Sequence, residues 1–346
     1  MRPYERFLWR GRRGDSRIAR KESGHLLRAA TQGGPYNVTG NLSGSRRGGP
    51  AWPPGNSLIE RKGQIMDSLF QIGDFCFRLV CPGELVPPPD FMLFQTGEGE
   101  PEYSYRIRLT GCLPEPEGNC IAERPDLRVF SDGSRESRLI GVKGGDFYAL
   151  YRETSGQSAE IELLETETEN MRFEVMFTSL LALERRMVQK DALILHCAFI
   201  RHQGEAILFS APSETGKSTQ AGLWEKYRGS QTVNGDKALL QCVSGRWTAE
   251  GWPVCGSSAV CNNQSVPIRA VVMLSQGRED QVRRLSPGEA FAQLYSQITV
   301  NTWNRDFAAK NMALIEGLIA RVPVFHLRCT ISENAVRCLE QALSGN

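Results

Sequence analysis

The stretch I-L-F-S-A-P-S-E-T-G-K-S-T, residues 207–219, decides how the rest of the chain is read. The apolar run E-A-I-L-F-S (205–210) predicts a buried strand. A short loop follows, and G-K-S-T opens a helix carrying Leu223, Trp224 and Tyr227 on one side. Strand, loop, helix and triplet together are the context a phosphate-binding loop requires. The reason is physical: backbone N–H groups of the loop and of the helix start surround phosphate oxygens, and the helix dipole favours negative charge there. The candidate nucleotide-binding residues are Ser213, Thr215, Gly216, Lys217, Ser218 and Thr219. With ATP as the ligand, Lys217 would reach the β- and γ-phosphates and the Ser218 hydroxyl would coordinate Mg²⁺. Two residues depart from the ordinary pattern G-x-x-x-x-G-K-[ST]. Ala211 stands where the pattern has glycine, and Glu214 sets a carboxylate among the donors. A carboxylate ~4 Å from a phosphate charge, at an effective dielectric of ~20, repels it by ~4 kcal/mol, whereas one turned to solvent repels by a fraction of that. The activity expected of the loop turns on these two positions.

Outward from the loop, strand and helix signals alternate. A-L-I-L-H-C-A-F-I (192–200) joined by R-H-Q-G to 205–210 reads as a β-hairpin. Further strands are expected at 237–243, 269–274 and 324–328. Phe173, Met176, Phe177, Leu180, Leu183 and Met187 recur at three- and four-residue spacing and predict one helix over 171–188. Ser286-Pro287-Gly288-Glu289 combines an N-cap serine, a proline at the first helical position and a glutamate three residues on, so a helix starts there. Two more are expected at about 306–320 and from Ser332. The body over 166–346 is therefore expected to be α/β (α+β).

Residues 66–165 read differently. F-C-F-R-L-V (75–80), Y-S-Y-R-I-R-L (103–109) and D-F-Y-A-L-Y-R (146–152), separated by V-P-P-P-D and L-P-E-P-E-G-N, predict a mostly β accessory domain. Residues 1–65 carry 13 Lys+Arg against 4 Asp+Glu, a net of +9, and hold 11 of the 34 glycines with no periodicity. They read as a disordered basic Gly/Arg-rich extension. Two alternatives stand beside that reading. One is a nucleic-acid arm using Trp9 and Trp52; the other is a native start at Met66, where the composition changes abruptly.

The whole chain of 346 residues has a net charge of +2, from 41 basic and 39 acidic residues, but that figure hides a split. Beyond residue 65 there are 28 Lys+Arg against 35 Asp+Glu, a net of −7, which argues against nucleic acid as the main partner. No run of 18 apolar residues spans a bilayer, so no membrane partner is expected. The N-terminus lacks the apolar core of a secretory signal. A cytoplasmic protein is the expectation. The ten cysteines form no C-x-x-C pair and read as reduced, mostly buried thiols, not as a disulfide frame or a zinc site.

L-H-C-A-F-I (195–200), the strand running into the loop, and N-G-D-K-A-L-L (234–240) resemble the catalytic domain of HPr serine kinase/phosphorylase and its relatives. That family shares the nucleotide-binding core of phosphoenolpyruvate carboxykinase. The resemblance spans roughly 190–346 and is closer to the divergent HPr-kinase-related proteins. It implies a P-loop domain with a mixed sheet, in place of a Rossmann-like parallel one, and ATP with Mg²⁺ as cofactors. By position it makes Lys217 the P-loop lysine and Ser218 the metal-binding hydroxyl. Asp236 becomes the acid that helps hold Mg²⁺ or accepts the proton of the substrate hydroxyl, and His196 the histidine that tunes it. On their own, His196 reads as a core histidine and Asp236 as a turn residue in N-G-D-K.

Two departures narrow what is implied. Gly235-Asp236 replaces paired aspartates, and the E-(V/I)-R-G-L-G signature gives way to G-W-P-V-C-G-S-S (251–258) and V-P-I-R-A-V-V-M-L (266–274). Both argue against HPr as substrate and against phosphorylase activity. Arg269 reads either as a cation near the transferred phosphate or as a solvated strand-end charge, and Trp303 in N-T-W-N as a buried residue with no assigned role.

The function expected first is an ATP-dependent kinase of the HPr-kinase-related type. It would move the γ-phosphoryl to a hydroxyl, serine foremost, of a peptide, protein or small molecule. The alternatives are a catalytically weakened nucleotide-binding regulatory module and a carboxykinase-type enzyme acting on a small keto acid. For the last, no carboxylate-clamping arginine set can be assembled. Self-association into a homo-oligomer is left open.

Overall fold

A computed structural model describes residues 64–345. The readings of the basic leader lie outside them, apart from Gln64 and Ile65. The first nine strands are β1 (Ile65–Ile72), β2 (Phe75–Pro82), β3 (Gln95–Thr96), β4 (Tyr103–Thr110), β5 (Asn119–Arg124), β6 (Leu127–Ser131), β7 (Glu136–Gly141), β8 (Phe147–Ser155) and β9 (Ser158–Leu164). They form one sheet in the order β3-β1-β2-β4-β9-β8-β7-β6-β5. It is antiparallel except where β4 lies parallel to β2 and β9.

The second sheet holds β10 (Ala192–His202), β11 (Glu205–Ser210), β12 (Gln231–Asn234), β13 (Lys237–Val243), β14 (Arg246–Glu250), β15 (Ser265–Gln276), β16 (Gln281–Arg284) and β17 (Val324–Cys329). β10 and β11 form the hairpin the sequence implies, turning at Gln203 and Gly204 with φ of 51° and 83°. Left-handed residues at both turn positions match the twist of the flanking strands. Two long strands then change partners along their length. β10 pairs first with β13 and then with β11 and β12, and β15 pairs first with β14 and then with β11 and β17. Since β13 also pairs with β14, the strands β10, β13, β14, β15 and β11 close a ring. Within it β11, β15 and β17 run parallel. The chain is thus mixed α/β with two mixed sheets.

Among the described residues seven helices pack on these sheets: α1 (Pro89–Met92), α2 (Glu174–Ser179), α3 (Leu183–Gln189), α4 (Lys217–Arg228), α5 (Pro287–Tyr295), α6 (Arg305–Ile319) and α7 (Glu333–Ser344). Strand periodicity assigns their sides. In β10, Leu193, Leu195, Cys197 and Phe199 share a core with α5 and α6, while Ala198 and Ile200 face α4 and α7. Both faces are covered, so β10, β11 and β15 read as nearly continuous apolar runs. Ser286 and Glu289 form the expected capping box of α5.

The helix expected over 171–188 is broken. A 3₁₀ turn covers Glu165–Arg172, and Ala182 adopts φ 47° between α2 and α3. Leu180, Leu181, Ala182 and Leu183 are all buried, and four consecutive residues cannot share one stripe of a helix; the break lets each find the core. That core also joins the two sheets. Phe70, Phe77, Tyr105 and Tyr151 of the first belong to the cluster containing Ala192, Ile194, Leu239, Trp252 and Val254. Residues 66–165 therefore share their core with the segment that follows.

Buried charge binds the same seam. Arg185 donates to Glu153 Oε1 at 2.6 Å and to Glu136 Oε2 at 3.1 Å, Arg186 pairs with Glu153, and Arg138 pairs with Glu184 and with Glu136. Trp303 donates to Glu136 Oε2 at 3.3 Å, which gives that residue a role in holding the network. The cysteines depart from expectation: Cys76, Cys81, Cys197, Cys255 and Cys329 are buried, but Cys112, Cys120 and Cys242 are exposed, because they lie on solvated strands or turns. Among the described residues no disulfide joins them, and no helix is long and apolar enough to cross a membrane.

Candidate functional site

The site follows from register. His196 pairs with Lys237 and Cys197 with Ser210, so β10 carries the start of β13 on one side and the end of β11 on the other. The loop 211–216 leaves β11 at Ser210, whose Oγ donates to the His196 carbonyl at 2.8 Å. Asp236 sits at the mouth of β13. Two segments about 20 residues apart in sequence thus meet at one strand (an ordinary outcome of antiparallel pairing on both sides).

Gly216 caps α4 in a left-handed conformation with φ 115°, and a Cβ there would meet only open space. Lys217 is buried and its ammonium donates to the carbonyls of Ala211 at 3.1 Å and Pro212 at 3.2 Å. Burial pulls its pKa below the usual lysine value, while the Asp236 carboxylate opposes that shift. Ser213, Ser218 and Thr219 are exposed, and Thr215 is half-buried. Ala211 is buried but has no left-handed backbone, so its Cβ imposes no conformational strain. Glu214 does: it has φ 64° and an exposed side chain.

His196, Ser213, Glu214, Gly216, Lys217, Ser218, Thr219, Gly235 and Asp236 line one cleft of about 340 Å³. Asp236 Oδ2 accepts from Lys237 Nζ at 2.5 Å, and Asp236 Oδ1 lies 3.6 Å from His196 Nε2, beyond hydrogen-bond reach. Burial lowers the His196 pKa, reinforced by Lys217 and opposed by Asp236, which favours the neutral imidazole. A neutral ring beside a carboxylate can orient a hydroxyl or a water without competing for its charge.

A second cleft of about 530 Å³ adjoins the first and shares Glu214, Gly216 and Thr219 with it. Thr215, Gln220, Gln276, Gly277, Cys329, Thr330 and Ile331 complete it. It opens at the carboxyl ends of the parallel strands β11, β15 and β17, the usual place for ligands in α/β sheets. Gln276 reaches the carbonyls of Glu214 and Thr215 at 3.4 and 3.5 Å, and Asp280 holds the rim by accepting from Thr330 N at 2.6 Å and Ser332 Oγ at 3.0 Å.

Two supports escaped the sequence. Asn234, fully buried, accepts from the N–H groups of Asp236 at 2.8 Å and Lys237 at 3.0 Å and donates to the carbonyls of Trp252 and Val254. The N-G signal gave only a turn; the turn is also the anchor of the 251–261 loop. Ser258 of that loop packs over Gly235, where a Cβ would lie 1.9 Å from its Oγ. Arg269 lines neither cleft, since it pairs with Glu205 at 2.8 Å and with the Leu343 carbonyl at 2.7 Å.

Among solved structures, the Hpr(Ser) kinase/phosphatase from Coxiella burnetii matches at 13% identity, over 44% of this chain and 93% of that one, with a TM-score of 0.26. A likeness that slight carries no argument. No curated protein matches the chain. A family model described as SynChlorMet cassette protein ScmC matches residues 160–344, which is more than half of the sequence. The matched span takes in both clefts, the Asn234 turn and the loop over Gly235, and the chain belongs to the family of the SynChlorMet cassette protein ScmC.

Proposed function

We propose that this chain is a nucleotide-dependent phosphotransferase that moves the γ-phosphoryl of ATP to a hydroxyl, with serine of a peptide or protein as the first candidate acceptor. The observation that carries the reading is the single cleft in which the loop at the start of α4 faces Asp236 and His196. A phosphate cradle and a carboxylate able to take a hydroxyl proton share one space, as this chemistry demands. The residues present fit a magnesium nucleotide. Open space at Gly216, an ammonium already held by loop carbonyls, an exposed Ser218 hydroxyl and the Asp236 carboxylate form an acceptable donor set. The bound metal would neutralise phosphate charge as the bond to the leaving group breaks.

Each residue then has a defined task. Lys217 would exchange carbonyl contacts for phosphate oxygens, and Ser218 and Asp236 would hold the metal. Asp236 also accepts the acceptor's proton, with His196 neutral beside it. The second cleft receives the nucleoside. The reaction is in keeping with a cytoplasmic setting, where ATP is available.

A regulatory nucleotide-binding module is the second reading. It is favoured by the 2.5 Å contact of Lys237 with Asp236, which occupies one oxygen of the only carboxylate at that position. Calorimetric titration of the full chain with Mg²⁺–ATP, beside Lys217→Ala, tests both. Binding that is absent or indifferent to Lys217→Ala refutes both. Tight binding with no ATP consumption across a panel of serine peptides and small alcohols favours the module.

A further inference from the structure

Cys255, Cys261 and Asp90 converge although the sequence offers no metal-binding spacing. Their donor atoms all lie within 4.8 Å of one another. The Cys255 thiol donates to Asp90 Oδ2 at 3.2 Å. Tetrahedral coordination by two sulfurs at ~2.3 Å and an oxygen at ~2.0 Å gives edges of roughly 3.5 to 3.8 Å, so the cage closes with shifts below ~1 Å. The surroundings are those of ligands, not of inert core thiols. Glu174 Oε1 accepts from the backbone N–H groups of Cys255 at 3.2 Å and Gly256 at 3.0 Å and stands 3.5 Å from the Cys255 sulfur. Asn234 Nδ2 points at the Cys261 sulfur at 3.5 Å. The Asn234 amide can donate to a Cys261 thiolate from outside the coordination sphere, while Glu174 fixes the backbone that presents Cys255.

We propose that Cys255, Cys261 and Asp90 bind a thiophilic divalent cation, Zn²⁺ by ligand chemistry, with water in the fourth position. Two thiolates and one carboxylate select zinc over the harder Mg²⁺. Binding releases the two thiol protons to solvent. Without the cation, burial pushes the Cys261 thiol up to about 12 and raises Cys255 further, with the Asp90 carboxylate adding to both shifts.

The consequence is a clamp. Asp90 belongs to α1, beside the first sheet, whereas the 252–261 loop covers Gly235 and is bridged at Cys261 to Asn234. The cation would tie the first sheet to the turn that presents Asp236. This site does not depend on the phosphotransfer reading, since its ligands line neither cleft.

The test is metal analysis of the full chain, purified without chelator, followed by Co²⁺ titration of the stripped protein. About one zinc per chain, and a thiolate-to-cobalt band in the near ultraviolet, are expected. Cys255→Ser/Cys261→Ser should lose both, and Asp90→Asn should weaken Co²⁺ binding at least about tenfold. Absence of zinc together with absence of the band in the unaltered chain overturns the proposal even if the variants misfold. So does metal retained by the double variant, or a Cys255–Cys261 disulfide found by peptide mapping.

Discussion

Replacing Glu214 by glycine separates two effects that share one residue. The backbone at Glu214 is left-handed, with φ 64°, which disfavours a residue carrying a Cβ by about 1–2 kcal/mol. Glycine removes that strain but adds about 0.5–1 kcal/mol of unfolded-chain entropy. The folded state should gain between zero and about 1.5 kcal/mol, read from denaturant midpoints at constant m.

The affinity for Mg²⁺–ATP that the proposed function implies should respond to the charge. The side chain is exposed. At about 6 Å from a phosphate charge, in water, its repulsion is about 0.7 kcal/mol per unit charge. Screening at 0.15 M salt halves that, and two net charges on metal-bound phosphates restore about 0.7 kcal/mol, or about threefold in Kd. At 0.01 M salt the effect grows to about 1.1 kcal/mol, near sixfold. Isothermal titration of Glu214→Gly with Mg²⁺–ATP at both salt concentrations is the assay. A carboxylate turned into the phosphates would instead give about 4 kcal/mol per charge, roughly a thousandfold, with little salt dependence. Tightening of that order, or any weakening, would refute the reading that Glu214 faces solvent in the nucleotide complex.

Lys217→Ala should weaken Mg²⁺–ATP binding by about 10- to 100-fold, the worth of charge-assisted hydrogen bonds to phosphate, and unchanged titration isotherms would exclude its phosphate role. Asp236→Asn should lower turnover by about 10²–10⁴-fold, and activity within a factor of a few of the parent would remove Asp236 as base. His196, His202 and His326 all have pKa values lowered, by burial first. The folded chain therefore binds fewer protons than the unfolded one. Their contribution is full above about pH 6.5 and is lost as pH falls through the lowered folded values, so melting temperatures should drop between pH 7.5 and 5. Glu153→Gln leaves Arg185 and Arg186 buried without their shared carboxylate and should destabilise the fold by about 3–5 kcal/mol in urea titrations; a change under about 1 kcal/mol would show that the network relaxes.

Local chemistry explains which features were legible. The hairpin ending at Ser210, the loop at Gly216 and the capping box at Ser286 are each specified within a dozen residues, so periodicity and cap residues reveal them. What periodicity misses is held by distant partners. Ala182 breaks a helix because the residues around it are needed in different parts of the core. Arg185 and Arg186 give no signal in the helix pattern, because their partners Glu136 and Glu153 lie more than 30 residues earlier. Asp90 stands 165 residues from Cys255, so no spacing rule could join them. Within the site, the loop and its lysine were readable as a motif, whereas the hydrogen bonds by which Asn234 holds the 251–261 loop, and the packing of Ser258 over Gly235, join segments that no local pattern connects.

Gly235 shows how packing settles a chemical question. A side chain there would place Cβ 1.9 Å from Ser258 Oγ and 2.3 Å from Ser258 Cβ. Ser258 cannot simply turn away, because its hydroxyl donates to the Cys255 carbonyl at 2.7 Å and accepts from Val260 N at 3.2 Å. The space beside Gly235 is therefore filled by the loop. Gly235→Ala should destabilise the fold by about 1–3 kcal/mol through overpacking. Ser258→Gly in the same chain opens the space, so the double variant should recover most of that loss. A double-mutant cycle in urea measures the coupling directly, and contacting residues typically give about 0.5–3 kcal/mol. Additive losses would mean that the loop moves as a body and that Gly235 is not constrained by Ser258. A strong coupling would mean that a second carboxylate is excluded sterically, so that in the proposed reaction Asp236 alone would serve both the metal and the acceptor's proton.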